Sequence, residues 1–189
     1  MARYQKQRIN YPIGSISSGT MNPDDLIPTF CSELESLAKQ SGIVPARQRK
    51  AHLKLVRDIT SRMDGESYHD SKMTFAGLSG EESFADDDLD ALFDALGEYA
   101  GPYFYFGAHP GDGADYGFWL SESWDEDFYD APCWGLEKSR KQQPSSIKVE
   151  DLPDVPSWFR GEVAVVNDHG NVTLYRKTSR ALHEIWSIV

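Results

Sequence analysis

The hydrophobic pattern changes its period at Gly101-Pro102, and this change constrains the fold more than any other feature of the sequence. Before it, apolar residues recur every three or four positions, which is typical of amphipathic helices. After it, apolar and polar residues alternate in short runs, which is typical of strands. Because helices come first and strands follow, the sequence predicts an α+β fold of about three N-terminal helices packed on an antiparallel sheet formed mainly by the C-terminal half.

Three helices are predicted in the first hundred residues. The first begins at Asn22-Pro23, where the asparagine can cap the helix and the proline fits its first turn. The second spans about 45–63, with His52 on its apolar side, and the third spans about 85–100. The segment 64–82 between them is rich in Gly, Ser and Asp and is predicted as a loop.

The strands are predicted from short alternating runs bounded by turn residues. These runs are 9–17, which is a short strand or an extended arm, and 103–108, 116–120, 162–167, 171–176 and 183–189. A loop at 109–115 joins two of them, Asp168-His169-Gly170 is predicted as a hairpin turn, 121–130 as an acidic loop and 137–157 as an irregular connection. For 189 residues we expect a single compact domain, 1–189, with a helical part at about 22–100 and a mostly β part at about 101–189.

The negative charge is concentrated in one part of the chain. Of the 30 acidic residues, fifteen lie between positions 81 and 130, and no Lys or Arg occurs from Met73 to Glu137. The segment 81–130 carries −15 while the whole chain carries −11, so the remainder is +4. Nucleic acids are bound through cationic side chains, which argues against direct binding of nucleic acid. Because twelve of the 23 aromatic residues lie at 99–134, we expect this acidic region to be folded.

We expect the acidic region to bind a basic partner. Four of its acids follow the spacing of one helix face, and like charges one turn apart are unfavourable, which indicates a role other than stability. Fixed carboxylates attract a cationic partner, and nearby aromatic rings provide apolar anchors. The predicted partner-binding residues are the four on this face, Asp87, Asp90, Asp94 and Glu98, and six more, Glu122, Trp124, Asp125, Glu126, Asp127 and Asp130.

The alternative is a small-ligand or metal-dependent enzyme centred on the loop 109–115. Its side chains His109, Asp112 and Asp115 are candidate metal ligands, although Gly-Asp-Gly is also ordinary turn chemistry. The sequence contains no nucleophile elbow, EF-hand or phosphate-binding loop, so no catalytic residue is assigned and no cofactor is expected. Two further interpretations stay open: an aromatic cage for a cationic group, and a structural or assembly component.

The cysteines and the hydropathy of the sequence indicate the cellular compartment of the protein. Cys31 and Cys133 have no CxxC spacing, and two thiols in a chain without a secretory signal are expected to be reduced and buried. No apolar run approaches the roughly 18–20 residues that span a bilayer, and a polar stretch follows the basic N-terminus. We therefore expect a soluble, cytoplasmic protein.

Two segments resemble uncharacterised small acidic proteins of bacteriophages and mobile elements. They are Gly19–Pro28, with the sequence GTMNPDDLIP, and Phe159–Glu162 (FRGE) together with Val172–Tyr175 (VTLY). The resemblance implies such an origin, and small acidic phage proteins are often accessory factors that inhibit host machinery. Together with the charge distribution, it favours a non-enzymatic inhibitor that mimics DNA and occupies a basic site on a host nucleic-acid-binding or defence protein.

Overall fold

The structure is a computed structural model that describes residues 10–40, 42–63, 84–130 and 146–188. Four helices and two sheets lie in these ranges, so the predicted α+β class is confirmed. The chain divides into two compact units, Pro12–Leu120 and Ser121–Val189 with Met1–Tyr11. The single compact domain stays a prediction. Within the described ranges no helix is both long enough and apolar enough to cross a membrane.

The described part of the unit Pro12–Leu120 contains three helices: α1 (Pro23–Gln40), α2 (Ala46–Met63) and α3 (Phe84–Gly97). Asn22 Oδ1 accepts a hydrogen bond of 3.2 Å from the backbone N–H of Asp24, as expected of a capping side chain. The three helices agree with the predicted ones to within a few residues at each end. The predicted loop 64–82 lies outside the described residues.

The same unit contains a three-stranded antiparallel sheet of order β1-β3-β2. Its strands are β1 (Gly14–Ser17), β2 (Phe104–His109) and β3 (Asp112–Leu120). The predicted loop 109–115 is therefore much shorter, because the strands continue into it and only Pro110 and Gly111 lie between them. The polar side chains there did not indicate strands, but the backbone pairing of β2 with β3 extends through them with one irregularity.

The core of this unit lies between its helices and the sheet. Phe30 of α1 is fully buried, and its ring meets the ring edges of Phe93, Phe106 and Tyr116 at centroid distances of 5.4, 5.2 and 5.8 Å. These contacts join α1 to α3 and to both long strands. Edge-on aromatic pairs of this kind add to the stabilisation from buried apolar area.

The second unit contains a helix and a four-stranded sheet of order β4-β5-β6-β7. Its elements are α4 (Trp124–Asp130), β4 (Ser146–Val149), a 3₁₀ turn (Leu152–Asp154), β5 (Gly161–Val166), β6 (Val172–Lys177) and β7 (Leu182–Ile188). β4 is parallel to β5, and the other pairs are antiparallel. The strands thus form two sheets where the sequence predicts one.

Two segments predicted as irregular contain regular structure. The acidic loop 121–130 contains α4, whose Phe128 is fully buried and whose first turn carries three acids that the helix dipole favours. The connection 137–157 contains β4, which adds to the edge of the sheet, while its residues 137–145 lie outside the described ranges. The predicted hairpin at 162–176 is confirmed: Asn167 Oδ1 accepts hydrogen bonds of 3.0 Å from the N–H groups of His169 and Asn171.

Candidate acidic binding surface

Three carboxylates line the exposed side of α3, and we call Asp87, Asp90 and Asp94 the α3 stripe. The opposite side of the helix buries Leu92 and Leu96 completely, which holds the stripe outward. All three stripe residues are exposed, and their side chains form no ion pair with any residue in the described ranges. The last turn of α3 contains no basic residue. The sequence-predicted spacing on one helix face is therefore reproduced for these three residues.

Glu98, the fourth predicted residue of this face, has an internal partner. Its carboxylate lies 3.4 Å from His52 Nε2, and its side chain is 42% exposed. His52 is buried, and its Nδ1 lies 3.0 Å from the Tyr99 hydroxyl. The Nε2 atom of His52 therefore faces the carboxylate of Glu98, and its Nδ1 atom shares a hydrogen bond with the hydroxyl of Tyr99. Glu98 is thus a fixed carboxylate at the end of the α3 stripe.

Tyr99 completes this arrangement from inside the core. Its side chain is fully buried, and burial raises the pKa of its hydroxyl, with the charge of Glu98 adding to the rise and Arg49 opposing it. The phenol is therefore neutral and able to donate to His52. The sequence places His52 on a packing face but contains no signal for this pairing, because His52 and Tyr99 are 47 positions apart.

Asp88 is a buried acid inside the acidic segment. It is 6% exposed and pairs with Arg62 of α2, while Asp88 Oδ2 and Arg62 Nε have no hydrogen-bond partner among the described residues. The acid at position 88 is therefore favoured by the ion pair with Arg62 as well as by the helix dipole.

Nearby Cys31 is a buried free thiol, whose pKa is raised to about 11 by burial and by Asp88, with Arg62 opposing. Cys133 lies outside the described residues.

Several predicted binding residues of α4 are used within their own unit. Asp125 accepts hydrogen bonds of 3.2 and 3.1 Å from Lys148 Nζ, which also lies 5.4 Å from the ring centre of half-buried Trp124. Asp127 accepts a 3.1 Å hydrogen bond from the Ser123 hydroxyl. Two other predicted residues, Glu122 and Glu126, are exposed. For Asp130 the structure describes the backbone but not the side chain.

Each of the predicted metal ligands accepts a hydrogen bond from another residue of the chain. His109 Nδ1 accepts a 3.0 Å hydrogen bond from the N–H of Gly111, and its ring packs edge-on against Trp119 at 4.6 Å. Asp112 accepts from the N–H of Ala114 at 3.0 Å, and Asp115 accepts from the Ser15 hydroxyl. Across the described part of the chain, no three His, Cys, Asp or Glu residues come together as a metal site, so the structure does not assemble these three.

Several of the described aromatic rings belong to the cores of the two units. Tyr99, Phe106, Phe118 and Phe128 are buried, whereas Tyr129 is 53% and Trp158 is 55% exposed. The α3 stripe is therefore a candidate binding surface, because its three carboxylates are exposed and form no ion pair with the described residues. No protein-family model, no curated protein and no solved structure matches this chain.

Proposed function

We propose that this chain is a non-enzymatic acidic binding protein whose α3 stripe occupies a basic site on a partner protein. The observation that carries the proposal is the set of exposed carboxylates of Asp87, Asp90 and Asp94, which form no ion pair with any described residue and lie on a helix whose other side is buried. A surface of this kind attracts a cationic partner over a distance and orients it before contact.

The stripe carries a thermodynamic cost within the chain. Asp90 and Asp94 lie one turn apart, and such like-charged pairs destabilise a helix by about 0.2–0.5 kcal/mol. Asp94 also lies near the C-terminal end of α3, where the helix dipole disfavours negative charge. A partner that supplies the missing positive charge offsets both effects, which is the behaviour expected of a binding surface.

The sign and spacing of the charges favour a partner that binds nucleic acid. With a rise of about 1.5 Å per residue, Asp87 and Asp94 are about 10 Å apart along the helix, so the stripe is a rigid row of negative groups. A basic groove built for phosphates accepts such a row. The resemblance of residues 19–28 to bacteriophage and mobile-element proteins supports a host nucleic-acid-binding or defence protein as this partner.

The test compares two variants of equal net charge. The stripe variant is Asp87→Asn, Asp90→Asn and Asp94→Asn, and the control variant is Asp112→Asn, Asp151→Asn and Asp154→Asn, three exposed acids outside α3. Partners captured from a bacterial lysate by the unmodified chain are identified by mass spectrometry, and their affinities for all three proteins are then measured at low and high salt.

We expect the stripe variant to bind the captured partner at least about tenfold more weakly, and the control variant to bind like the unmodified chain. We also expect the unmodified chain to displace duplex DNA from that partner. Equal affinity for the stripe variant and the unmodified chain would disprove a role for the stripe. If the chain binds the partner but does not displace DNA, the proposal of a basic partner stands and the DNA-mimic mechanism is rejected.

A further inference from the structure

A cavity of about 700 Å³ lies in the unit Ser121–Val189, and none of its described lining residues belongs to α3. This volume is within the range of small-molecule sites. The walls come from the end of α4, from β4 and from the turn between β5 and β6. The lining residues are Tyr129, Lys148, Val149, Glu150, Val166, Asn167 and Asp168.

Among the described lining residues, the charge is negative once one ion pair is considered. The cation among them is Lys148, whose ammonium group is held by Asp125 at 3.1 Å and lies over Trp124, so this pair is neutral in sum. Two carboxylates of the described lining remain, those of Glu150 and Asp168. Glu150 is exposed, and the Asp168 side chain is 87% exposed, with the neighbouring His169 3.6 Å away. An anion is therefore disfavoured here and a cation favoured.

The remaining lining supplies apolar and aromatic surface. Tyr129 lines the cavity and is 53% exposed, and Val149 and Val166 are half-buried. A cation over an aromatic ring gains electrostatic attraction, and an alkyl stem packs against valine side chains. Tyr129, the valines and the two carboxylates thus match a ligand with an apolar stem and a cationic end.

From this combination we infer that the cavity binds an organic cation, an alkylammonium or alkylguanidinium group. The ligand can be a free amine or guanidine, or the side chain of a lysine or arginine in a protein. The carboxylates of Glu150 and Asp168 neutralise the cationic end, and the stem lies against Tyr129 and the valines. This site does not depend on the binding surface of α3.

In the experiment, the full-length chain is titrated with each probe. Binding is measured by calorimetry and by the NMR chemical shifts of Tyr129 and Val166. The probes are butylammonium and butylguanidinium, with 1-butanol as the neutral control of similar shape. A second arm uses a capped tripeptide with a central lysine, which distinguishes a protein side chain from a free amine. We expect both cations to bind saturably and 1-butanol to bind at least about tenfold more weakly.

The variants test each part of the cavity. Glu150→Gln with Asp168→Asn, and separately Tyr129→Leu, should each weaken butylammonium binding, the first by about tenfold or more. The control Asp151→Asn with Asp154→Asn removes the same charge outside the cavity and should not change the affinity. The stripe variant of α3 should also bind butylammonium normally. A negative result for the cavity therefore leaves the proposed function of α3 untouched, and the reverse also holds.

Three results would overturn the inference: no saturable binding of either cation, equal binding of 1-butanol, or unchanged affinity in both cavity variants. Tighter binding of the lysine tripeptide than of butylammonium would identify a protein side chain as the ligand. The reverse order would identify a free amine.

Discussion

At the scale of single residues, His52 shows how a residue acquires its role from distant neighbours. Its two ring nitrogens face Glu98 and Tyr99, which lie at the end of another helix. The sequence places His52 on an apolar face, which correctly predicts its burial. It contains no signal for the hydrogen-bond partners, because these depend on how α2 and α3 pack.

Removing the Tyr99 hydroxyl tests this network. The Tyr99→Phe variant leaves His52 Nδ1 buried without its partner, and a buried unsatisfied group costs about 1–3 kcal/mol. We expect the free energy of unfolding, measured by urea denaturation, to fall by that amount. The matched control is Tyr129→Phe, whose side chain is 53% exposed and whose hydroxyl removal should have little effect. Equal effects of the two substitutions would contradict the network.

Cys31 provides a prediction on pH. Burial raises its pKa from 9.0 to about 11, so the folded state favours the neutral thiol. The resulting stabilisation is complete below pH 9.0 and is lost as the pH rises through about 11. The difference in unfolding free energy between the unmodified chain and Cys31→Ala should therefore be constant up to pH 9.0 and shrink above it. A difference that does not change up to pH 11 would contradict the burial of this thiol.

At the scale of elements, β1 and β3 approach each other closely at a glycine. Gly117 pairs with Ser15, and a Cβ at position 117 would lie 2.2 Å from the backbone oxygen of Gly14. Since both sides of this contact are backbone, neither can move without breaking the pairing. The glycine is therefore required by the packing of the two strands.

The Gly117→Ala variant should be destabilised by about 1–3 kcal/mol, the usual range for overpacking. In the same hairpin, a Cβ at Gly113 would meet nothing within 4 Å, so Gly113→Ala is the matched control. Thermal unfolding of both variants measures the difference. Similar stability of the two would show that β1 does not pack on β3 in this way.

The elements also show where sequence patterns were insufficient. The sequence predicts a loop at 121–130 because five acids dominate its composition, yet Trp124 and Phe128 are spaced one helical turn apart and Phe128 is fully buried. The metal site predicted at 109–115 depends on residue types that are close in sequence. In the structure, His109 and Asp112 accept hydrogen bonds from backbone N–H groups two positions away, and Asp115 accepts one from Ser15 of β1.

At the scale of the whole molecule, the unit Pro12–Leu120 has a core of its own. Every buried residue of its hydrophobic cluster, from Leu26 to Phe118, lies inside these bounds. Because burial of apolar surface is the main driving force of folding, this segment contains what it needs for its own stability.

We therefore expect a fragment of residues 12–120 to fold alone, with cooperative thermal unfolding measured by circular dichroism. The control fragment 12–100 lacks Phe106 and Phe118 of the core and should remain unfolded. An unfolded 12–120 fragment would instead favour the single domain over 1–189 that the sequence predicts.

Local sequence patterns are sufficient to predict the α+β class, three helices before residue 100, the hairpin around Asn167 and the exposed side of α3. These features depend on local periodicity, capping and turn residues, which act over a few positions. Three pairings are visible only in the folded chain: Asp88 with Arg62, Glu98 with His52, and Asp125 with Lys148. Such pairings join residues that are distant in sequence, and their partners are set by packing, which no local pattern encodes.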